Sequence, residues 1–352
     1  MPTNVLHICQ NYNSALYHSM FEEIAKSEAI NQIVFYPQIK RVNYNKSDKF
    51  HVYHAQGVPQ FLRHFFWIRA IVNFINLKKT IDLTSIDIVH CHTLFNDGII
   101  GLFVTAFTKK KLIISVRQSD VIIKKFKIWL NPVIVFLKLK TLCFIFLSPQ
   151  IKKRFRNIQG KVVGNAADNI FFTTPVPEYR NTPINPRLIY IGQIIKRKKL
   201  DVILNSFNPK SMALTVVGKA PQKTLWSKKQ LSRFKNFQKI TYFNKRTKKQ
   251  IVKLLDDHDI FVMPSVNETF GIVYIEAMSR GLPILYASGT SIDGLFSSEV
   301  GVGIKKVTPK SINLAIKKIV ANYQFYSSNA IKEAQDYSWK KIANKIRGCY
   351  QM

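Results

Sequence analysis

The strongest constraint on this chain is a rhythm. Short apolar runs alternate with segments of helical spacing, and one Pro- and Thr-rich stretch, Phe172–Pro186, interrupts the series. Before the break, Val5–Cys9, Gln32–Tyr36, Ile86–His90, Leu112–Val116, Cys143–Leu147 and Lys161–Val163 read as strands, with Leu16–Ala25 and Ile99–Phe107 as helices. After it come strands Leu188–Ile191, Ala213–Val217, Ile240–Phe243, Ile260–Met263 and Pro283–Tyr286, and helices Leu200–Phe207, Lys248–Asp256 and Gly271–Arg280. Continuous apolar runs separated by helices are the pattern of βαβ units, which build a mostly parallel sheet covered by helices on both faces. A length of 352 residues holds two such cores. The reading is therefore α/β, with one Rossmann-like domain over residues 1–172, a linker, and a second over residues 187–336.

Charge narrows the partners. Lys and Arg number 53 against 20 Asp and Glu, a net charge of +33. Such an excess attracts nucleic acid, anionic lipid or a polyphosphate ligand. Two stretches lack any carboxylate, from Asp120 to Asp168 and from Asp201 to Asp256. The four cysteines, Cys9, Cys91, Cys143 and Cys349, sit in apolar settings without metal or disulfide spacing, the usage of a reduced compartment. The N-terminal residues show no basic stretch followed by a long apolar one, so no signal peptide is expected and the location reads as cytoplasmic. Trp129–Leu147 is the most apolar stretch, but Asn131-Pro132, Lys138 and Lys140 break it. A central Lys costs about 2.5–3.5 kcal/mol in lipid, so the stretch reads as interfacial rather than spanning.

The chemistry concentrates between Asp259 and Asp293. A strand ends in Pro264-Ser265, a polar turn leads to Glu268-Thr269-Phe270-Gly271, and a helix carries Glu276. In open α/β sheets ligands bind beyond the carboxyl ends of the strands. A helix start there offers N–H groups to a phosphate or sugar oxygen, and each carboxylate can accept two hydroxyl protons. Two carboxylates and a helix start on one wall suit a polyhydroxylated ligand bearing a phosphate.

The segment PSVNETFGIVYIEAMSRGLPI resembles the hallmark of family 4 of the retaining GT-B glycosyltransferases, two glutamates separated by seven residues. The likeness extends to LIYIGQIIKRKKLDVILN at Leu188–Asn205, ALTVVG at Ala213–Gly218, VVGNAADNIFF at Val162–Phe172, IVHCHTLFNDGIIG at Ile88–Gly101 and IISVRQSD at Ile113–Asp120. It implies a GT-B fold, two Rossmann-like domains facing a central cleft, with a last helix (residues 337–352) returning to the N-terminal domain. It implies that Glu268 binds the donor sugar hydroxyls, helped by Thr269 and the backbone of Phe270, Gly271 and Ile272. Glu276 would hold the ribose, and Lys198 would meet the diphosphate beside the loop at Gly192 and Gln193. Asn244 and Lys245 would flank the base. Gln193 stands where the family often has Arg, so Arg197 or Lys196 is the expected substitute cation. On the acceptor side the resemblance points to Asn11, Tyr12, His92, Arg117 and Asp120, with Glu268, Lys198 and Asp120 as the groups nearest the chemistry.

The expected activity is retaining, metal-independent transfer from a nucleotide sugar to a saccharide or an undecaprenyl-diphosphate-linked acceptor, as in bacterial surface-polysaccharide assembly. No resident cofactor or metal is expected. Asp257 and Asp259 precede a strand rather than end one, unlike a metal-binding pair. His90 and His92 form HxH and read as loop histidines near the acceptor rather than as metal ligands. Phe61–Leu77 and Val121–Arg156 mix apolar and basic residues, which suits peripheral contact with an anionic membrane at the inner face of the cell membrane. The alternative, a basic nucleic-acid-binding protein without transferase activity, has the charge in its favour but no recognition motif.

Overall fold

The computed structural model describes residues 2–37, 48–54, 65–126, 131–177, 181–220, 229, 230, 232, 238–290 and 292–352. Arg63, His64 and Trp129, which belong to the apolar and basic stretches above, lie outside them. The chain divides into two compact units, Met1–Gly164 with Ile342–Met352, and Asn165–Lys341. Asn165–Phe172, read from the sequence as part of the first domain, thus sits in the second unit.

The first unit is built on seven parallel strands: β1 (Thr3–Ile8), β2 (Ile30–Tyr36), β3 (His51–His54), β4 (Ile88–Cys91), β5 (Lys111–Val116), β6 (Thr141–Phe146) and β7 (Gly160–Val162), in the order β3-β2-β1-β4-β5-β6-β7. Its helices are α1 (Ala15–Ile24), α2 (Phe66–Thr80), α3 (Asn96–Thr108), α4 (Gln118–Phe126), α5 (Asn131–Lys140) and α6 (Pro149–Arg154). Central strands such as β4 are buried throughout. That is why they read as unbroken apolar runs. The edge strand β3, with sequence HVYH, is largely exposed and has no such signature.

The second unit carries α7 (Ile170–Thr173) and a six-stranded parallel sheet of β8 (Arg187–Ile191), β9 (Ala213–Val217), β10 (Ile240–Phe243), β11 (Ile260–Val262), β12 (Ile284–Ala287) and β13 (Gly301–Ile304), in the order β10-β9-β8-β11-β12-β13. Helices α8 (Leu200–Ser206), α9 (Lys248–Asp256), α10 (Ile272–Ser279), α11 (Pro309–Ala321) and α12 (Tyr323–Ala334) complete it. The final helix, α13 (Trp339–Tyr350), runs into the first unit. There the Tyr350 hydroxyl lies 2.8 Å from His90 Nδ1 of β4. The described part of the apolar stretch, Asn131–Leu147, holds α5 and β6, and among the described residues no helix is long and apolar enough to cross a membrane.

In each sheet the strand order reverses once, between β1 and β4 and between β8 and β11. Connections leaving such a pair diverge to opposite faces and open a crevice at the carboxyl ends. The loops after β1 and β4, and those after β8 and β11, are therefore where each unit can receive a ligand.

The segment entering the second unit is fixed by a buried guanidinium. Arg280 is fully enclosed. It donates to both carboxylate oxygens of Asp256, at 2.8 and 2.9 Å, and to the carbonyls of Thr174 and Pro175, at 2.6 Å each. Removing one partner of a buried pair leaves the other charge uncompensated, which costs about 3–5 kcal/mol. Arg280→Met should therefore lower the unfolding free energy by about 3 kcal/mol, read by urea titration. Arg280→Lys should not restore it, because one ammonium cannot reproduce the forked contacts.

Candidate functional site

In the second unit the loop after β8 and the loop after β11 meet at Glu268. Lys196–Lys198 form a short 3₁₀ turn, and Lys199, in the left-handed conformation, starts α8. The turn delivers Lys198, whose ammonium donates to Glu268 Oε2. Arg197 Nη1 reaches the same oxygen at 3.4 Å, and the Ser265 hydroxyl donates to it at 3.1 Å. Lys198 Nζ also stands 3.5 Å from Met263 Sδ. Both partners of the Lys198–Glu268 pair are over nine-tenths enclosed.

Burial pushes the Glu268 carboxyl up, but Lys198, Arg197 and Ser265 together outweigh it and hold the group below its ordinary value. Burial in turn pulls the Lys198 ammonium below its ordinary value, against the attraction of Glu268.

Two glycines let the backbone come close. Gly271, the N-cap of α10, has a φ of +76°, and a Cβ there would stand 2.6 Å from the Tyr274 ring. Tyr274 in turn donates its hydroxyl to the Met263 carbonyl. At Gly218 a Cβ would fall 1.8 Å from the Gly192 carbonyl oxygen, so the turns after β8 and β9 touch only because that side chain is absent. The carbonyl of Gln193 accepts the Tyr190 hydroxyl at 2.8 Å, while the Gln193 side chain faces solvent.

Glu276 is buried within α10 and accepts from Lys248, the first residue of α9. Burial pushes its carboxyl up, Lys248 opposes this, and Asp168 adds to the rise. Lys248 also lies over the Phe171 ring, 5.2 Å from its centre. The sequence reading missed Lys248. Its helix start was legible, since Thr247 and Gln250 form a capping box, but nothing local pairs it with a carboxylate 28 residues away. Asn244 accepts within 2.8 Å of the Tyr242 hydroxyl, which also stands 2.9 Å from the Gly218 carbonyl. Lys245, Thr269 and Asn244 are exposed, whereas Phe270 is buried. Asp259 is occupied structurally, by the Arg187 guanidinium and backbone N–H.

In the first unit three of the expected acceptor residues, Tyr12, His92 and Asp120, have fully enclosed side chains. Tyr12 is fully buried, packed on Phe21 and Tyr36 at ring distances of 5.7 and 5.9 Å. His92 is fully buried as well, so its side chain is part of the core rather than a loop group facing a ligand. It joins His90 of β4 and His7 of β1, and their candidate ligand atoms all lie within 4.8 Å of one another. His7 Nδ1 stands 3.1 Å from His92 Nε2, while His90 meets Tyr350 and Ser115. The outer nitrogens, His7 Nε2 and His92 Nδ1, have no hydrogen-bond partner among the described residues. A metal-holding imidazole normally donates its other N–H to an acceptor, so this donor set fits packed neutral rings better than a metal. Burial drives all three rings toward the neutral form. Asn11 is exposed and Arg117 half-buried, its guanidinium 4.6 Å above the Tyr17 ring and its Nε donating to the His92 carbonyl at 2.9 Å. Asp120 is buried and accepts the Arg117 N–H at 2.8 Å.

Residues 178–337 match the family model described as Glycosyl transferases group 1. The chain is 22% identical over 311 residues to an uncharacterized glycosyltransferase of Methanocaldococcus jannaschii, covering 84% of each. A second from the same organism is 32% identical over 105 residues, which is 28% of this chain and 27% of that relative. That match therefore spans about a quarter of the relative's length. Among solved structures, sucrose-phosphate synthase from Thermosynechococcus elongatus has a TM-score of 0.76 at 15% identity, covering 99% of this chain and 98% of that one. Anabaena HepE in complex with UDP-glucose has a TM-score of 0.69 at 16% identity, covering 99% of both. The chain has the two parallel-sheet α/β units of the GT-B fold, and the matches give the nucleic-acid reading no support.

Lys198→Met leaves Glu268 buried with Arg197, Ser265 and the Thr269 N–H but without its closest cation. Its carboxyl should then titrate above 4.5. The native pair contributes stability that is present above the unfolded carboxyl value and is lost as pH falls through the lowered native one. The variant should accordingly be less stable at pH 7 by about 3 kcal/mol and lose much less at pH 4, as measured by urea unfolding at the two pH values.

Proposed function

We propose that the chain is a retaining glycosyltransferase that takes its sugar from a nucleotide-sugar donor bound by the second unit. The observation that carries this reading is the pair of buried glutamates, Glu268 and Glu276, each held by a lysine at the carboxyl-terminal loops of one parallel sheet. Glu268 accepts donor sugar hydroxyls, with the backbone of Thr269 to Ile272 beside it. Glu276 takes the ribose hydroxyls, Asn244 and Lys245 border the base, and the turn at Gly192 and Gln193 passes the diphosphate.

The bond from the sugar's anomeric carbon to the diphosphate breaks first, leaving a sugar with oxocarbenium character and an electron pair on the departing oxygen. Lys198, Arg197 and the α10 start stabilise that negative charge, the usual largest source of rate in such a step. These cations are already in place, so the reaction is proposed to be metal-independent. The acceptor hydroxyl attacks from the leaving-group side, its proton passing to the departing diphosphate, and configuration is retained. Asn11, Arg117 and Asp120 mark the acceptor loops of the first unit, and the acceptor class is a saccharide or a lipid-diphosphate-linked saccharide of surface-polysaccharide assembly.

The first unit also offers a surface for an anionic membrane. Ile122, Val135, Phe136, Leu139 and Leu142 are exposed, Leu139 by 75%. A groove of about 860 Å³ runs beside them, lined by Lys124, Lys138, Leu139, Lys153 and Arg154. Apolar side chains among cations bind acidic lipid at about 1 kcal/mol per Lys or Arg near the surface. This reading places the protein at the cytoplasmic face of a membrane.

Four outcomes test these assignments. A thermal-shift screen of UDP-, GDP- and dTDP-sugars should find one that stabilises the chain, since a bound donor raises apparent stability. Glu276→Ala should weaken that nucleotide at least tenfold, whereas Glu268→Ala should chiefly lower turnover. Unchanged kinetics in both would remove the donor site. Transfer should persist in excess EDTA. Co-sedimentation with phosphatidylglycerol vesicles should fall when Lys138 and Lys153 are changed to Glu, and equal binding by that variant would refute the membrane face.

A further inference from the structure

Three loops at the carboxyl end of the first sheet are stitched together by two buried carboxylates, and the transfer reading uses only one of them. Asp120, in the first turn of α4, binds the N–H of Arg117 at 2.8 Å and that of Phe95 at 3.4 Å. It joins the loop after β5 to the loop after β4. Asp97, in the first turn of α3, binds the N–H of Gln10 at 3.2 Å through Oδ1 and the Thr93 hydroxyl at 3.0 Å through Oδ2. It joins the loop after β4 to the loop after β1. Both carboxylates are fully buried, and among the described residues neither forms a salt bridge.

For packing alone, Asp97 is a poor choice. Burial pushes its carboxyl up to about 7, against the Thr93 hydroxyl and the Gln10 N–H, with Asp120 adding to the rise and Arg117 opposing it. A neutral residue of the same shape would avoid that penalty. The side chain acts on one stretch, Gln10–Asn11, where the backbone turns out of β1 beside the strand reversal. Gln10 is half-buried and Asn11 exposed, while Cys9 and Tyr12 on either side are buried. Asn11 can hold a fixed position only if the backbone beneath it is fixed.

We propose that Asp97 is a positioning residue for the acceptor, holding the Gln10–Asn11 segment in register with the loops that carry Arg117 and Asp120. The proposal rests on the reading that these loops receive the acceptor. Asp97→Asn keeps an oxygen for the Gln10 N–H, whereas Asp97→Ala keeps none.

The experiment uses the full chain with UDP-glucose as donor probe and octyl β-glucoside as acceptor probe. Leaving the Gln10 N–H without its acceptor costs about a factor of ten. Asp97→Ala should therefore raise amide exchange at Gln10 about tenfold and raise the acceptor KM by a similar factor. Hydrolysis of the donor by water should be unchanged, and Asp97→Asn should behave as the parent. Unaltered exchange at Gln10, or transfer and hydrolysis falling together, overturns the proposal. If the parent neither binds nor turns over the donor, the transferase reading with this donor fails, while exchange at Gln10 still reports whether the clamp exists.

Discussion

A carboxylate withdrawn from water must be given a cation, a set of N–H donors or a proton. In a chain with 53 Lys and Arg against 20 Asp and Glu, cations are the cheap answer, and the second unit uses them. Glu268 has Lys198 and Arg197, Glu276 has Lys248, Asp256 has Arg280, and Asp259 has Arg187. The first unit answers differently. Asp97 and Asp120 are met by backbone N–H groups and a hydroxyl, and their carboxyls rise to about 7 and about 6 because burial outweighs those bonds. One unit sets a cation against each of these acids. The other uses acids as joints between loops.

The strand reversal in each sheet decides where those acids can matter. Gln10, Asp97 and Arg117 come from different segments, yet parallel strands deliver them to one end. Lys198 and Glu268 are 70 residues apart and meet for the same reason.

Much of this was legible in the sequence because buried parallel strands leave no polar alternation to misread. β8 to β12 follow the apolar runs to within a residue or so. β3 and β13 escaped notice for opposite reasons: HVYH is an exposed edge, and GVGI is diluted by glycine. Glu268 and Glu276 were found through their spacing, but Lys248, Asp97 and His7 were not, since their partners are distant in sequence. Tyr12 and His92 were misjudged because a loop at the end of a strand can still fold its side chains inward. His90 and His92 lie on the face covered by α1 and α13, not by solvent.

Tyr350 and His90 lie 260 residues apart. The first unit therefore includes residues that follow all of Asn165–Lys341 in the chain. During synthesis the second unit has every one of its own elements before the first does. Over that interval this face of β4 has α1 against it but lacks α13. The timing of birth on the ribosome thus falls unevenly on the two sheets, and the N-terminal one, though translated first, is the last to close.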